Sequence, residues 1–288
     1  MTPSWDQLGK IDPKALWEAR LQAHHAVQWV ARAASANIMP MPGNTQSNFG
    51  WDRDQGALVS HELRGRGGAL RVGLVVGTMT LFVRHEATMI EQFTLDGQRH
   101  ADAGAWLDRI FGAAGLALPS GAALPYAIPA HPVGDGAAYV AGPQRGEFPV
   151  LAHWFACADD MLGAIHAGLP QGAASPVRCW PHHFDIATLW TVGDGDADTA
   201  PSVGIGLSPG DGYFAQPYFY VAPWPRPAPE MLPPLPPPGD WHTSDFIGAV
   251  LTGEAIVALP DRAARTRQFL DAAVHVTQRL VAPRPVRR

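Results

Sequence analysis

The sequence predicts an α+β fold: antiparallel sheets backed by helices, in two similar helix–sheet–helix halves. Three observations predict it. Apolar residues recur at three- and four-residue steps near residues 13–36, 103–114, 148–167 and 262–281, which is the helical period. Short β-branched and aromatic runs joined by tight turns fill the intervals, as antiparallel strands require. The order helix, strands, helix then starts again after a Gly-, Pro- and Ala-rich stretch at 119–146. The expected organisation is an α+β half at 1–118, a connection at 119–146 and a second α+β half at 147–288. Whether the halves pack as one domain is left open.

Composition narrows the classes. The chain has 288 residues, 47% hydrophobic and 16% charged. The apolar share is that of a globular protein, and a disordered chain would be richer in charge. A net charge of −5 argues against a basic nucleic-acid-binding face. The first ten residues lack an apolar signal core, and no run approaches the ~18 apolar residues of a membrane span. The two cysteines, Cys157 and Cys179, lack C-x-x-C spacing, so neither a disulfide scaffold nor a cysteine zinc site is expected. A soluble cytoplasmic protein is the expectation, without nucleic-acid or membrane partners.

The elements follow in order. Asp12 is placed to cap a first helix and Pro13 suits its first position. Leu16, Ala19, Ala23, Ala26, Val27 and Val30 form its apolar face. A second stripe, Trp17, Leu21, His24 and Gln28, mixes aromatic with hydrogen-bonding groups. Strands are expected at 49–51, 57–63, 69–76, 79–85 and 90–95, with Gly77-Thr78 as a tight turn. Trp106, Leu107, Ile110 and Phe111 face inward from the next helix, which Gly115 stops. In the second half, 148–167 is a helix, 177–180, 184–192 and 202–207 are strands, 208–212 is a turn and 213–221 an aromatic strand. Pro217 implies an edge or bulge there. Residues 222–239 hold nine prolines and must be extended, either as a rigid packed arm or as a ligand for a partner domain. The type of 246–251 is open; 262–281 is the terminal helix.

Candidate chemistry concentrates in 175–185. On a strand, residues two apart share a face, so His183 and Asp185 are expected to point one way and His182 the other. Histidine with carboxylate serves as general base or metal ligand. With His242, and Asp211 or His182, they define a candidate site for zinc, manganese or iron. The alternative is a satisfied polar core. His24 and Gln28, one helical turn apart, are candidate ligand-binding residues, as are Trp180 and Tyr218 from the aromatic 213–224 region. Isolated His61, His85 and His100 carry no signal. Gly206-Leu207-Ser208-Pro209-Gly210 fits a nucleophile elbow on paper. Pro209, however, lacks the N–H such an elbow donates to the oxyanion hole, and a strand follows instead of a helix. No P-loop or dinucleotide fingerprint occurs.

Ser175-Pro176-Val177, Trp180 and Phe184-Asp185-Ile186-Ala187, followed by Ser208-Pro209-Gly210 and Tyr218-Phe219-Tyr220, resemble the signature of a family of uncharacterised bacterial proteins. That family reads S-P-V, W, F-D-L-A, then a W-P-G-G turn and an aromatic strand. Its first helix is similar to the one carrying His24 and Gln28. The tryptophan is shifted here, and the His182-His183 pair departs from the pattern. The resemblance implies no activity, because the family is a domain of unknown function.

Three functions are therefore expected, in this order. The first is small-molecule binding in an aromatic and histidine-lined pocket, with or without catalysis, built from His24, Gln28, Trp180, His183, Asp185 and Tyr218. In it His183 is the proton carrier and Asp185 its partner. The second is a metal-dependent hydrolase or oxygenase using His183, Asp185 and His242 on a divalent ion. The third is a non-catalytic interaction module using the 222–239 arm.

Overall fold

The computed structural model describes residues 1–142, 145–193 and 199–282. Residues 143–144 of the expected connection, and 194–198 and 283–288 of the expected second half, lie outside the described residues. The fold is α+β, with two antiparallel sheets of six strands each. The strands are β1 (Gly50–Asp52), β2 (Ala57–Val59), β3 (Leu63–Gly65), β4 (Gly68–Val75), β5 (Thr80–His85), β6 (Thr88–Thr94), β7 (Arg178–Trp180), β8 (Asp185–Thr191), β9 (Ser202–Ser208), β10 (Tyr218–Trp224), β11 (Asp240–His242) and β12 (Gly248–Thr252). The helices are α1 (Trp17–Asn37), α2 (His100–Ala113), α3 (Glu147–His166), α4 (Gly253–Ala258) and α5 (Arg262–Val281). The first sheet runs β1-β2-β4-β5-β6 with β3 beside β4; the second runs β11-β12-β10-β9-β8-β7.

The chain divides into two units. One is 1–156 with 178–185, the other 157–177 with 186–288. The division therefore falls inside α3 and not in the 119–146 stretch. The segment 119–142 belongs to the first unit.

In the first unit Asp12 accepts from the Lys14 amide and Pro13 opens a short 3-10 turn that runs into α1. Every residue of α1 from Ala19 to Ala31 is buried, so this helix is a core element. It packs against β3, β4 and α2. Strands β4 and β5 pair through Leu74↔Leu81 and Val72↔Val83. Gly77-Thr78 sits in the expected turn, completed by Met79 in the left-handed region at φ 48°. Leu81, Phe82 and Val83 are all fully buried, which means both faces of β5 are covered. Alternation on β6 leaves Ile90, Gln92 and Thr94 exposed. At the start of α2 the Asp102 carboxylate takes the Arg99 amide at 2.9 Å, satisfying one of the free donors of a helix N-terminus.

In the second unit β9 and β10 pair through Leu207↔Phe219 and Ile205↔Val221. The aromatic strand starts at Tyr218, five residues later than expected, and runs to Trp224. The cause is Asp211, whose Oδ1 accepts the amides of Tyr213 and Phe214 at 2.9 and 3.1 Å. Those amides are thereby withdrawn from any ladder, and 213–217 forms a loop. Helix α5 covers β9, β10 and β12, with Phe269, Leu270 and Ala273 buried. The proline arm is partly packed: Trp241 Nε1 donates to the Pro233 carbonyl at 2.7 Å. Among the described residues no helix is long and apolar enough to cross a membrane.

Candidate functional site

Five of the six residues expected to form a pocket lie in the first unit. There α1 meets the turn between β7 and β8 (181–184). His24 Nε2 donates to the Pro181 carbonyl at 2.8 Å. Gln28 Nε2 donates to the same oxygen at 3.0 Å and to the His24 carbonyl at 2.9 Å. Gln28 Oε1 accepts from the Tyr126 hydroxyl at 3.0 Å. The His24 ring stacks on Phe184, centroids 5.1 Å apart and planes 8° from parallel. Around the turn His182 sits 5.6 Å from the Tyr126 ring and 4.1 Å from the His183 ring. Trp180 is half-buried at the end of β7, edge-on to His182.

Most of these polar groups are spent on the fold, while His24 Nδ1 is buried without a hydrogen-bond partner among the described residues. A proline-containing turn buried against a helix leaves a carbonyl with no strand partner, and an unpaired buried carbonyl is costly. His24 and Gln28 both answer that one carbonyl. The second polar face of α1 does the same for the connection. His25 Nε2 donates to the Pro129 carbonyl at 2.9 Å, and the Val140 amide donates to Gln22 Oε1 at 2.8 Å. His131 Nε2 meets Glu18 Oε1 at 3.0 Å, and His100 Nδ1 meets the Tyr139 hydroxyl at 2.8 Å. A stretch poor in secondary structure is thus fastened by side chains of α1 and α2, which is why 119–142 belongs to this unit.

Burial accounts for the electrostatics. Desolvation lowers the His24 pKa to about 3, with the Pro181 bond opposing and Arg20 and His25 adding to the effect. Burial first, then neighbouring His25 and Arg32, lowers His100 to about 4. Burial and then His183 lower His182 to about 4. Burial also raises the Tyr126 hydroxyl above its ordinary value. Each imidazole is held neutral because charging it would desolvate a cation.

His183 and Asp185 do not share a face. Phe184 adopts φ 60° and its amide donates to the Trp180 carbonyl at 2.7 Å. This closes a turn before β8 begins and breaks the alternation on which the expectation rested. His183 is exposed and Asp185 buried. Asp185 lies close enough to Cys179 to help raise that thiol, after the larger effect of burial. The pairing of His183 as proton carrier with Asp185 is therefore not formed.

Tyr218 and His242 belong to the second unit. Tyr218 donates its hydroxyl to Asp211 Oδ2 at 2.5 Å, and Ser208 Oγ donates to the same oxygen at 3.2 Å. His242 ends β11 inside an aromatic group, 4.4 Å from Phe246, 5.3 Å from Phe214 and 5.9 Å from Tyr213. Among the described residues no three His, Cys, Asp or Glu side chains come together as a metal-binding group. His183, Asp185 and His242 thus do not form the expected set. The rings around His242 supply packing, not the anionic or imidazole ligands a divalent ion needs.

The open space lies elsewhere. In the first unit a cleft of about 380 Å³ is lined by Arg66, Gly67, Gly68, Leu70, His85, Ile90, Glu91, Arg109, Ile110, Ala113 and Ala114. Its walls are the β3–β4 hairpin, the β5–β6 hairpin and the last turn of α2. Gly68 has φ +116°, and a Cβ there would strike the His85 ring. The hairpin can therefore close over His85 only with glycine. The Arg66 amide donates to the Ala114 carbonyl at 2.8 Å, tying the hairpin to the end of α2. The Arg66 side chain crosses Gly115, where φ is +67° and an added Cβ would press on that side chain. On the opposite wall Arg109 pairs with Glu91 through two bonds of 3.1 and 2.6 Å, and Trp106 Nε1 donates to Glu91 at 3.1 Å. That pair keeps Glu91 below and Arg109 above their ordinary pKa values.

Sequence reading passed over this cleft. Arg66 lies in a Gly-rich hairpin and His85 at a strand end, and neither is unusual for its place. The available signal was Gly65-x-Gly67-Gly68, two glycines more than a tight turn needs. Compared with family models, curated proteins and solved structures, the chain matches none of them.

Proposed function

We propose that this chain binds a small molecule, and that its site is the Arg66–His85–Ile110 cleft of the first unit. The expected six-residue pocket is not that site. The cleft is the observation that carries the reading. Its volume of about 380 Å³ falls in the ~300–1,000 Å³ range of ligand sites, and it joins an apolar floor to a few polar groups in the way such sites do. Leu70 and Ile110 are buried beneath it and Ile90 is 45% exposed at its rim. The reading needs no catalytic step: Gln28 and Tyr218 are hydrogen-bonded within the fold and His183 is exposed at the turn. Kinship with the bacterial family of the Ser-Pro-Val and Phe-Asp signature belongs to the same proposal and adds no activity to it.

A thermal-shift screen of small metabolites on the full chain tests this, with Ala113→Trp as the control. Ala113 is an exposed lining residue, so an indole there fills the cleft without entering the core. Hits that stabilise the wild type and lose their effect in Ala113→Trp support the site. Hits that survive the substitution place binding elsewhere.

A further inference from the structure

We infer that the ligand of this cleft is a small monoanion: a carboxylate carried on an apolar body. The inference rests on the cleft being the binding site and goes on to name what it holds. Among the described residues the Arg66 guanidinium, on a solvent-exposed residue, and the half-buried His85 ring make no hydrogen bond or ion pair within the protein, so both are open to a ligand at the cleft. The other two charged groups of the lining, Arg109 and Glu91, neutralise each other at 2.6 Å. The lining therefore keeps one uncompensated guanidinium and one unengaged imidazole, on a chain whose net charge is −5. A local cationic surplus on an acidic protein selects for anions at that place.

The headgroup follows from geometry. A guanidinium presents a planar fork that matches a carboxylate through two parallel bonds. Its backbone tether to Ala114 and its seat across Gly115 fix where the fork starts. One unpaired guanidinium balances one charge, which suits a carboxylate better than a phosphate dianion. The body follows from the floor. The buried Leu70 and Ile110 side chains offer no hydrogen bonds, so polar groups against them would lose water without replacement. The Glu91 carboxylate, facing the same space, disfavours a second negative charge on the ligand.

Isothermal titration calorimetry on the full chain with octanoate, octan-1-ol and octylammonium, all below their aggregation limits, tests this. Octanoate is expected to bind at least tenfold more tightly than either other probe. Arg66→Gln should weaken octanoate about tenfold or more, since bonds to charged groups contribute about 1.5–3 kcal/mol, and should leave octan-1-ol unchanged. Ala113→Trp should abolish all binding. If Arg66→Gln fails to fold, salt replaces it: octanoate affinity on the wild type should fall with added sodium chloride and octan-1-ol affinity should not. Equal binding of octan-1-ol and octanoate, both blocked by Ala113→Trp, would keep the site and overturn the anion. Absence of binding by all three probes, or binding that Ala113→Trp leaves intact, would overturn site and ligand class together.

Discussion

Two regions of the first unit bring polar side chains against apolar surroundings, and they resolve the conflict differently. On α1, His24, Gln28, His25 and Gln22 each meet a backbone group of a turn or of the long connection. In the cleft, the exposed Arg66 guanidinium and the half-buried His85 ring make no hydrogen bond or ion pair among the described residues. The α1 residues are odd in sequence and mostly tied to backbone in the fold; Arg66 and His85 are ordinary in sequence and stand open to solvent at the cleft. Oddity in a sequence marks a cost of burial, and the fold itself often meets that cost. A polar group that stays unanswered beside an open volume is the better pointer to a ligand.

The contrast breaks first at Gln28. Gln28→Ala removes three bonds at once, leaves the Pro181 carbonyl to His24 alone and strands the Tyr126 hydroxyl. A loss of about 2–4 kcal/mol is expected, read from the urea midpoint. A loss under about 1 kcal/mol would mean the turn is not fastened by α1.

Acid sharpens it next. The folded pKa of His24 is lowered to about 3, against about 6.5 in the unfolded chain. Between those values the unfolded state binds the proton and the folded state does not. Stability is therefore full above about pH 6.5 and falls as pH drops toward 3. His24 alone costs roughly 2 kcal/mol at pH 5, at about 1.4 kcal/mol per unit, and His100 and His182 act in the same direction. Urea melts at pH 7.5, 6 and 5 should show a steady decline. A flat profile would show that these imidazoles are not held neutral.

In the second unit Tyr218→Phe deletes the hydroxyl bond to Asp211 and leaves the ring packed. About 1–2 kcal/mol should be lost. An unchanged melting temperature would make that short bond irrelevant to the loop that delays β10. The smallest effect belongs to His183→Ala. This exposed ring at the turn should change stability by less than about 0.5 kcal/mol and octanoate affinity not at all. A large loss of binding would return the site to the turn.

The helices were legible because apolar spacing of 3.6 survives any context. Their ends came within a few residues, as with α5 at 262–281. The strands were legible where β-branched runs meet real turns, as at Gly77-Thr78. Tyr213–Pro217 was misread because an aromatic run looks like a strand whether or not its amides are free, and Asp211 had taken two of them. The His183–Asp185 face was misread because Phe184 is a bulky residue with positive φ, a conformation for which sequence offers no cue. The buried stripe on α1 was visible, but its partners are backbone carbonyls of residues over 100 positions away, such as Pro129 and Pro181. The cleft was invisible because three segments, near 66–70, 85–91 and 109–114, build it and none is distinctive alone.

One measurement separates the two regions directly. The amide NMR spectrum of the full chain, titrated with octanoate, reports every site at once. The account predicts shifts at Gly67, Gly68, Leu70, Ile90, Glu91 and Ala113–Gly115, with residues 24–28 and 180–185 unmoved. Shifts centred on His24, Gln28 and His183, with the cleft silent, would contradict it.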